Sequence, residues 1–315
     1  MVFWRSLFPS GTFRADQISD LAGRVVIVTG GNAGIGRATV KVLLEKNAKV
    51  YLAARSKSKA EEAIKGLKEE TGKEAIFLEL DLGNLAAVRT AAGEFLSKEH
   101  ELHILFNNAG VMVPPIDMTT ADGYDLQFGT NVVGHFLFTE LLMPALLAGV
   151  QTSPDHHSRI VTTSSSAAMF DTIHWESLKD GPARRKLGTG TLYSQSKFAN
   201  VVVARQIAKR YADKGIISLS LDPGGIKTDL QRHVRNREGL VGVLARNFMD
   251  FTLRPAPFGA LTQLWAGTMP EAVNHNGEYL VPTARVAPCR SEAYDNALGE
   301  KLWDWLEEEV KAYKQ

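Results

Sequence analysis

At 315 residues, 44% of them hydrophobic, the chain carries enough apolar material for a sizeable core, and one open α/β sheet can absorb that length, so a single domain is expected. Its 36 basic and 35 acidic residues leave a formal charge of +1, which argues against a nucleic-acid binder. A lone cysteine, Cys289, excludes an intrachain disulfide framework and a paired-thiolate zinc site, and it suits a reducing compartment, so a cytoplasmic location is expected. The histidines are scattered, and His156 with His157 lacks the i, i+4 spacing that aims two rings at one metal, so no metal site is expected.

Residues 1–22 read as an N-terminal extension. Phe3, Trp4, Leu7 and Phe8 share helical spacing, but Arg5 and Pro9 interrupt the apolar run and no small-residue cleavage site follows. Docking on the protein's own surface is expected there, and membrane contact is not. From residue 23 onward short apolar runs alternate with longer amphipathic ones. RVVIVTG precedes a helical stretch from Ile35 to Lys46, KVYLAA precedes Lys57 to Glu70, and EAIFLEL precedes Leu85 to Lys98. LHILFNN then leads to a long helical region from Asp122 to about Ala148, RIVTTSS to Leu192–Ala212, and IISLSLD closes the series. Strands apolar on both faces predict an α/β fold, a doubly wound parallel sheet of about seven strands with helices on both faces, in one domain over 23–315. Leu137 to Val150, the most apolar stretch, is broken by Glu140 and Pro144, falls short of a bilayer span and reads as a buried helix. An insertion from Ala167 to Thr191, containing Trp175 and the basic run ARRK, reads as a long loop whose charges form a solvated face.

The first strand runs into TGGNAGIG, which places Gly30, Gly34 and Gly36 just ahead of a helix. A glycine turn between strand and helix lets the backbone approach a pyrophosphate, and the helix N-terminus offers unpaired N–H groups and a favourable dipole. Dinucleotide binding follows from this order of elements. At the end of the second strand, where a carboxylate would accept from the ribose 2′-hydroxyl, stand Ala53, Ala54 and Arg55. Arg55 can instead make charge-assisted bonds to a 2′-phosphate worth roughly 1.5–3 kcal/mol, so NADP(H) is expected over NAD(H). Arg37 and Lys57 either assist or are solvated.

With these features in order, Gly23 to about Tyr279 resembles the short-chain dehydrogenase/reductase superfamily, which implies a Rossmann-like sheet. Long serine-to-tyrosine spacing, VYLAAR, NNAGVM and DPGGIKT are similar to the subgroup of retinol dehydrogenases and the oxidoreductase domain of WW-containing proteins. The resemblance implies a catalytic set of Asn131, Ser165, Tyr193 and Lys197, with Ser164 and Ser166 as alternatives for the serine. It implies cofactor contacts at Thr29, Gly30, Asn32, Gly34, Ile35 and Gly36 in the turn, at Arg55, and at Asp81 and Leu82 after the third strand. Further contacts are implied at Asn108, Ala109 and Gly110 in NNAG, at Tyr193 and Lys197, and at Pro223, Gly224, Ile226 and Thr228.

The chemistry suits those residue types. Hydride transfer to a carbonyl builds charge on oxygen, so a proton donor must sit beside it. A tyrosine near neutrality needs help to ionise, and Lys197, one helical turn from Tyr193, places a positive charge on the same face. A serine hydroxyl can orient the carbonyl. No G-x-S-x-G elbow is present, so a hydrolase is disfavoured. Val241, Val243, Leu244, Phe248, Met249 and Phe251 lie where the resemblance implies a substrate-covering segment, about 229–256, and point to an apolar ketone, aldehyde or alcohol as substrate or else form an ordinary amphipathic helix. Monomer and homodimer both stay open, the latter through the long fourth and fifth helices. The alternative reading is a non-catalytic NADP(H)-binding redox sensor or scaffold of the same fold.

Overall fold

The computed structural model of the chain describes residues 10–227 and 253–314. The alternating pattern becomes one sheet of β1 (Val25–Thr29), β2 (Lys49–Ala54), β3 (Ile76–Glu79), β4 (Ile104–Asn107), β5 (Ser158–Thr163), β6 (Ile216–Leu221), β7 (Tyr279–Val281) and β8 (Arg285–Val286). Their order is β3-β2-β1-β4-β5-β6-β7-β8, with β1 to β7 parallel and β8 antiparallel to β7. The seven parallel strands agree with the expected count. The eighth has two residues, too few to leave a periodic signal. The winding reverses between β1 and β4, and such a switch point opens a crevice at the carboxyl ends of the strands.

Helices α1 (Gly34–Glu45), α2 (Lys57–Thr71), α3 (Leu85–Lys98), α4 (Leu126–Thr152), α5 (Pro182–Tyr211), α6 (Ala256–Thr268) and α7 (Asn296–Val310) cover the sheet. Because successive strand residues point to opposite faces, β1 feeds two cores. Val26 and Val28 join Val40, Leu67 and Leu264 beneath α1, α2 and α6. Val25 and Ile27 join Val88, Phe136, Phe198 and Trp303 beneath α3, α4, α5 and α7. Local signals set several boundaries. Asn84 caps α3 by accepting from Ala87 N at 3.1 Å. Gly72 ends α2 in the left-handed region at φ +71°. Asp125 caps α4, accepting from Gln127 N and Phe128 N at 3.0 Å each, so α4 starts later than expected and runs on to Thr152. At 27 residues α4 is long and apolar enough to cross a membrane by length and composition alone, but most of it is buried in the second core.

Residues 10–22 also pack on the domain. Ile18 and Leu21 are buried in the first core, Leu21 N donates to Lys46 O at 2.7 Å, and Asn47 donates to Asp20 at 2.7 Å. Phe3, Trp4, Leu7 and Phe8 lie outside the described residues, as does nearly all of 229–256.

The insertion departs from the expected solvated loop. Short helical turns occupy Ser166–Met169 and Trp175–Ser177, and α5 begins at Pro182, well before the expected Leu192, with Gly188 at φ +76° breaking its course. Arg184 of the ARRK run is fully buried. Its guanidinium sits 3.4 Å from Asp125 and 3.2 Å from Asp180, and it donates to Ile116 O at 2.5 Å. Its neighbours Arg185 and Lys186 stay exposed. The solvated-face reading is therefore corrected at Arg184, because its carboxylate partners are supplied from the loop and from the start of α4.

Removing one member of a buried ion pair leaves the other charge uncompensated. Arg184→Ala is expected to lower unfolding stability by about 3 kcal/mol in urea titrations, whereas Arg185→Ala should change it by less than about 0.5 kcal/mol. Equal midpoints for the two variants would contradict this account of the insertion.

Candidate active site

Thr29, the last residue of β1, sits 1% exposed at the switch point. Its Oγ1 accepts from Asn108 N and Ala109 N at 2.9 Å each, and the Asn108 amide donates to Thr29 O at 2.8 Å. The NNAG segment is thereby fastened to the glycine turn. The turn needs its glycines: Gly30 and Gly34 have φ of +66° and +51°. A methyl group at Gly36 would collide with the Gly30 carbonyl and the Asn108 amide. Ala33 caps α1 and offers no side-chain acceptor to the first-turn N–H groups, unlike Asn84 on α3, Asp125 on α4 and Asp295 on α7. A tight backbone cradle with uncapped N–H groups fits a pyrophosphate. Asn32 and Ile35 flank it, partly exposed.

Along the rim, Ala53 and Ala54 are buried and Arg55 projects into solvent, with no ion pair among the described residues. Asp81 folds its carboxylate onto Gly83 N at 3.0 Å, shaping the turn after β3, and Leu82 is buried beside it. After β6, Gly224 adopts φ +85° and donates to Asp222 Oδ1 at 2.9 Å. Pro223 stands between them, and Ile226 bridges to Arg254. Thr228 and the hydrophobic residues from Val241 to Phe251 lie outside the described residues.

The four expected catalytic positions converge. Asn131 lies in a widened turn at Gly129–Val133 within α4. Its Oδ1 accepts from Val111 N at 2.9 Å, and its Nδ2 donates to Val111 O at 3.1 Å and Ser196 Oγ at 3.0 Å. Lys197 donates to Thr163 O at 2.9 Å and stands 5.9 Å from the Tyr193 ring centroid. A methyl group at Gly110 would meet Asn131 Oδ1 at 3.1 Å and Lys197 Nζ at 3.5 Å, so Gly110 leaves room beside both.

Of the three serines, Ser164 spends its hydroxyl on Lys197 O at 2.6 Å. Ser165 accepts from Ala167 N at 3.1 Å and lies near enough to Tyr193 to act on its proton equilibrium. Ser166 opens the following turn. Burial pushes the Tyr193 phenol well above its ordinary range, Ser165 pulls it partly back, and Asp222 adds to the rise. Burial lowers the Lys197 ammonium to about 8. Both groups are thus poised away from their usual protonation behaviour.

Two further residues belong to the site without having been read from the sequence. Tyr279 of β7, fully buried, donates to Ser165 O at 3.0 Å and so holds the serine backbone. His135, 4% exposed, contacts Thr29 and Asn131. A histidine inside the apolar run GHFLFT, four residues past Asn131, was the available signal for the second; the first had none nearby.

The family model for short chain dehydrogenase matches residues 24–177. A short-chain dehydrogenase/reductase of Armillaria gallica is 57% identical over 305 residues, covering 97% of this chain and 96% of that protein. Human retinol dehydrogenase 11 is 33% identical, over 90% of this chain and 85% of its own. A crystal structure of a Mycobacterium paratuberculosis protein aligns with TM-score 0.73 at 28% identity, covering 96% of this chain and 98% of that one. A Pseudomonas aeruginosa RhlG/NADP complex aligns with TM-score 0.65 at 24% identity, over 84% and 96%, a likeness of fold.

The Lys197 environment carries a pH signature. Between about 8 and the ordinary 10.5 an unfolded chain binds a proton at Lys197 that the folded chain releases, so stability climbs as pH rises through that window. Tyr193, raised, opposes the climb only above its ordinary 10. The unfolding midpoint of the cofactor-free protein should therefore rise more steeply from about pH 8 to about pH 10 than that of Lys197→Met. Parallel slopes would show that Lys197 keeps its proton throughout.

Proposed function

Because the chain belongs to the short-chain dehydrogenase/reductase family, oxidoreductases acting on CH–OH and C=O groups, with a retinol dehydrogenase-like relationship, we propose that it is an NADP(H)-dependent enzyme interconverting an apolar ketone or aldehyde and its alcohol. The observation that carries this reading is the convergence of Tyr193, Ser165 and Lys197 beside Gly110, at the carboxyl end of the sheet and next to the glycine cradle. Thr29, Gly30, Asn32, Gly34, Ile35, Gly36, Asp81, Leu82, Asn108, Ala109 and Gly110 would contact the dinucleotide on this reading, and Arg55 would receive a 2′-phosphate. When bound, such a cofactor would supply or accept the hydride.

The chain's own residues handle the oxygen. Ser165 donates a hydrogen bond that orients the carbonyl against Tyr193. Tyr193 passes its hydroxyl proton to the oxygen during reduction and takes it back during oxidation. Burial keeps the phenol protonated, the form that reduction needs, and the Lys197 charge limits the cost of the phenolate that follows. Asn131 holds the 110–111 backbone against α5, so the Lys197 side of the site keeps its shape. The likeness to human retinol dehydrogenase 11, named for an apolar alcohol, supports an apolar substrate. Of monomer and homodimer, the cover that α7 lays over α4 and α5, with Trp303 edge-on to Phe136 at 5.0 Å and Trp305 to Phe128 at 5.8 Å, supports the monomer; a dimer mass in light scattering would contradict it.

Nicotinamide absorbance with a panel of medium-size aldehydes and ketones tests the reading. Tyr193→Phe should lower kcat by at least about 100-fold. Tight NADPH binding without reduction of any carbonyl would favour the sensor or scaffold instead. Arg55→Ala should weaken NADPH binding by at least about tenfold and leave NADH nearly unchanged, and equal losses for both would remove the 2′-phosphate role.

A further inference from the structure

His135 has no task in the chemistry just described, yet both its ring nitrogens are engaged and both partners belong to the site. Nδ1 lies 3.1 Å from Asn131 O, and Nε2 lies 2.9 Å from Thr29 Oγ1. A carbonyl oxygen only accepts, so Nδ1 carries the hydrogen. Burial, with a smaller contribution from the Lys197 charge, lowers the imidazole to about 4, which leaves one ring hydrogen near neutrality. Nε2 is then an acceptor.

The hydroxyl of Thr29 completes the assignment. It has one hydrogen and two lone pairs. The lone pairs receive Asn108 N and Ala109 N, both at 2.9 Å, and the hydrogen goes to Nε2, with Phe106 O a more distant competitor at 3.2 Å. With the ring hydrogen on Nδ1, the bonds run in one sequence. Asn108 and Ala109 donate to Thr29, Thr29 donates to His135, and His135 donates to Asn131.

The Asn131 end of this chain also has a reason. In the widened turn Gly129–Val133 backbone bonds skip one residue further than in an α-helix, Gly134 N reaching Gly129 O. Asn131 lies inside this turn, and the imidazole four residues on bonds to its carbonyl. Asn131 is then held at both ends, its amide by Val111 and Ser196 and its carbonyl by His135.

We propose that His135 is a positioning residue that joins the two halves of the site, setting the Asn131 carbonyl through Nδ1 and the Thr29 hydroxyl beneath Asn108 and Ala109 through Nε2. The inference deepens the oxidoreductase reading and rests on it. It assigns the two ring nitrogens separable tasks: Nε2 serves the cofactor side, and Nδ1 serves the side that moves the proton.

Replacements that keep one nitrogen at a time test this. Asparagine places a donor near Nδ1 and loses Thr29, whereas glutamine places a polar atom near Nε2 and loses Asn131. His135→Asn should raise the Kd for NADPH, read by nucleotide fluorescence, by about fivefold or more, and leave kcat at saturating cofactor within about threefold. His135→Gln should do the reverse, lowering kcat by about tenfold or more with Kd within about threefold. His135→Phe should show both losses. Equal losses of Kd and kcat in the asparagine and glutamine variants, in step with their melting temperatures, would make His135 an ordinary core residue and overturn the proposal. If the native protein reduces no carbonyl, the proposed function fails while the NADPH titrations still decide this point: loosening in His135→Asn but not in His135→Gln supports it, and equal affinity in the two overturns it.

Discussion

Thr29 ends β1 where the sheet changes its direction of winding, and its single hydroxyl must answer four neighbours. Two backbone N–H groups from the segment after β4, a ring nitrogen from α4 and the Phe106 carbonyl all approach one oxygen. A hydroxyl has three hydrogen-bonding positions, so its surroundings are over-determined. Because Asn108 also returns a bond to the Thr29 carbonyl, the glycine turn, the NNAG segment and the start of α4 cannot shift independently. The glycine turn and the helix that carries Asn131 therefore meet at one joint, and Gly36 is needed because the Asn108 amide and Gly30 carbonyl already fill the space a side chain would take.

Around that joint the molecule gathers an unusual load of buried polar groups. Lys197, Asn131, His135 and Ser164 are all nearly inaccessible. Such groups are costly to bury unless paired, and here each has a partner that also shapes the site: Thr163 O for Lys197, Lys197 O for Ser164, Val111 and Ser196 for Asn131. Low local dielectric is what moves the Tyr193 and Lys197 proton equilibria, so stability and chemistry draw on the same desolvation. Tyr279 adds support from β7, since its hydroxyl holds the Ser165 carbonyl while Ser165 Oγ caps the next turn.

Two later segments brace this centre from outside. The insertion before Tyr193 is anchored by Arg184, which satisfies Asp125 at the start of α4 and so couples the loop to the helix that carries Asn131 and His135. Beyond the sheet, α7 lays Trp303 and Trp305 against α4, Tyr124 donates to Glu309 at 2.5 Å, and Glu300 pairs with Lys209 at 2.9 Å on α5. Both long helices are thus clamped by residues more than ninety positions away.

The sequence by itself determined what local pattern can encode. Both-face apolar runs specified parallel strands, the KVYLAA run and the Leu85–Lys98 helix coincide with β2 and α3, and the glycine spacing specified the turn at Gly30 to Gly36, because these depend on periodicity, capping and backbone sterics within a few residues. The i, i+4 relation of Tyr193 and Lys197 was legible for the same reason. Tertiary structure alone decided which of three adjacent serines faces Tyr193, that Arg184 is buried and its neighbour is not, and that His135 and Tyr279 brace the site. Those outcomes depend on partners 28 to 114 positions apart in the chain, and only the packing of strands and helices brings such groups together.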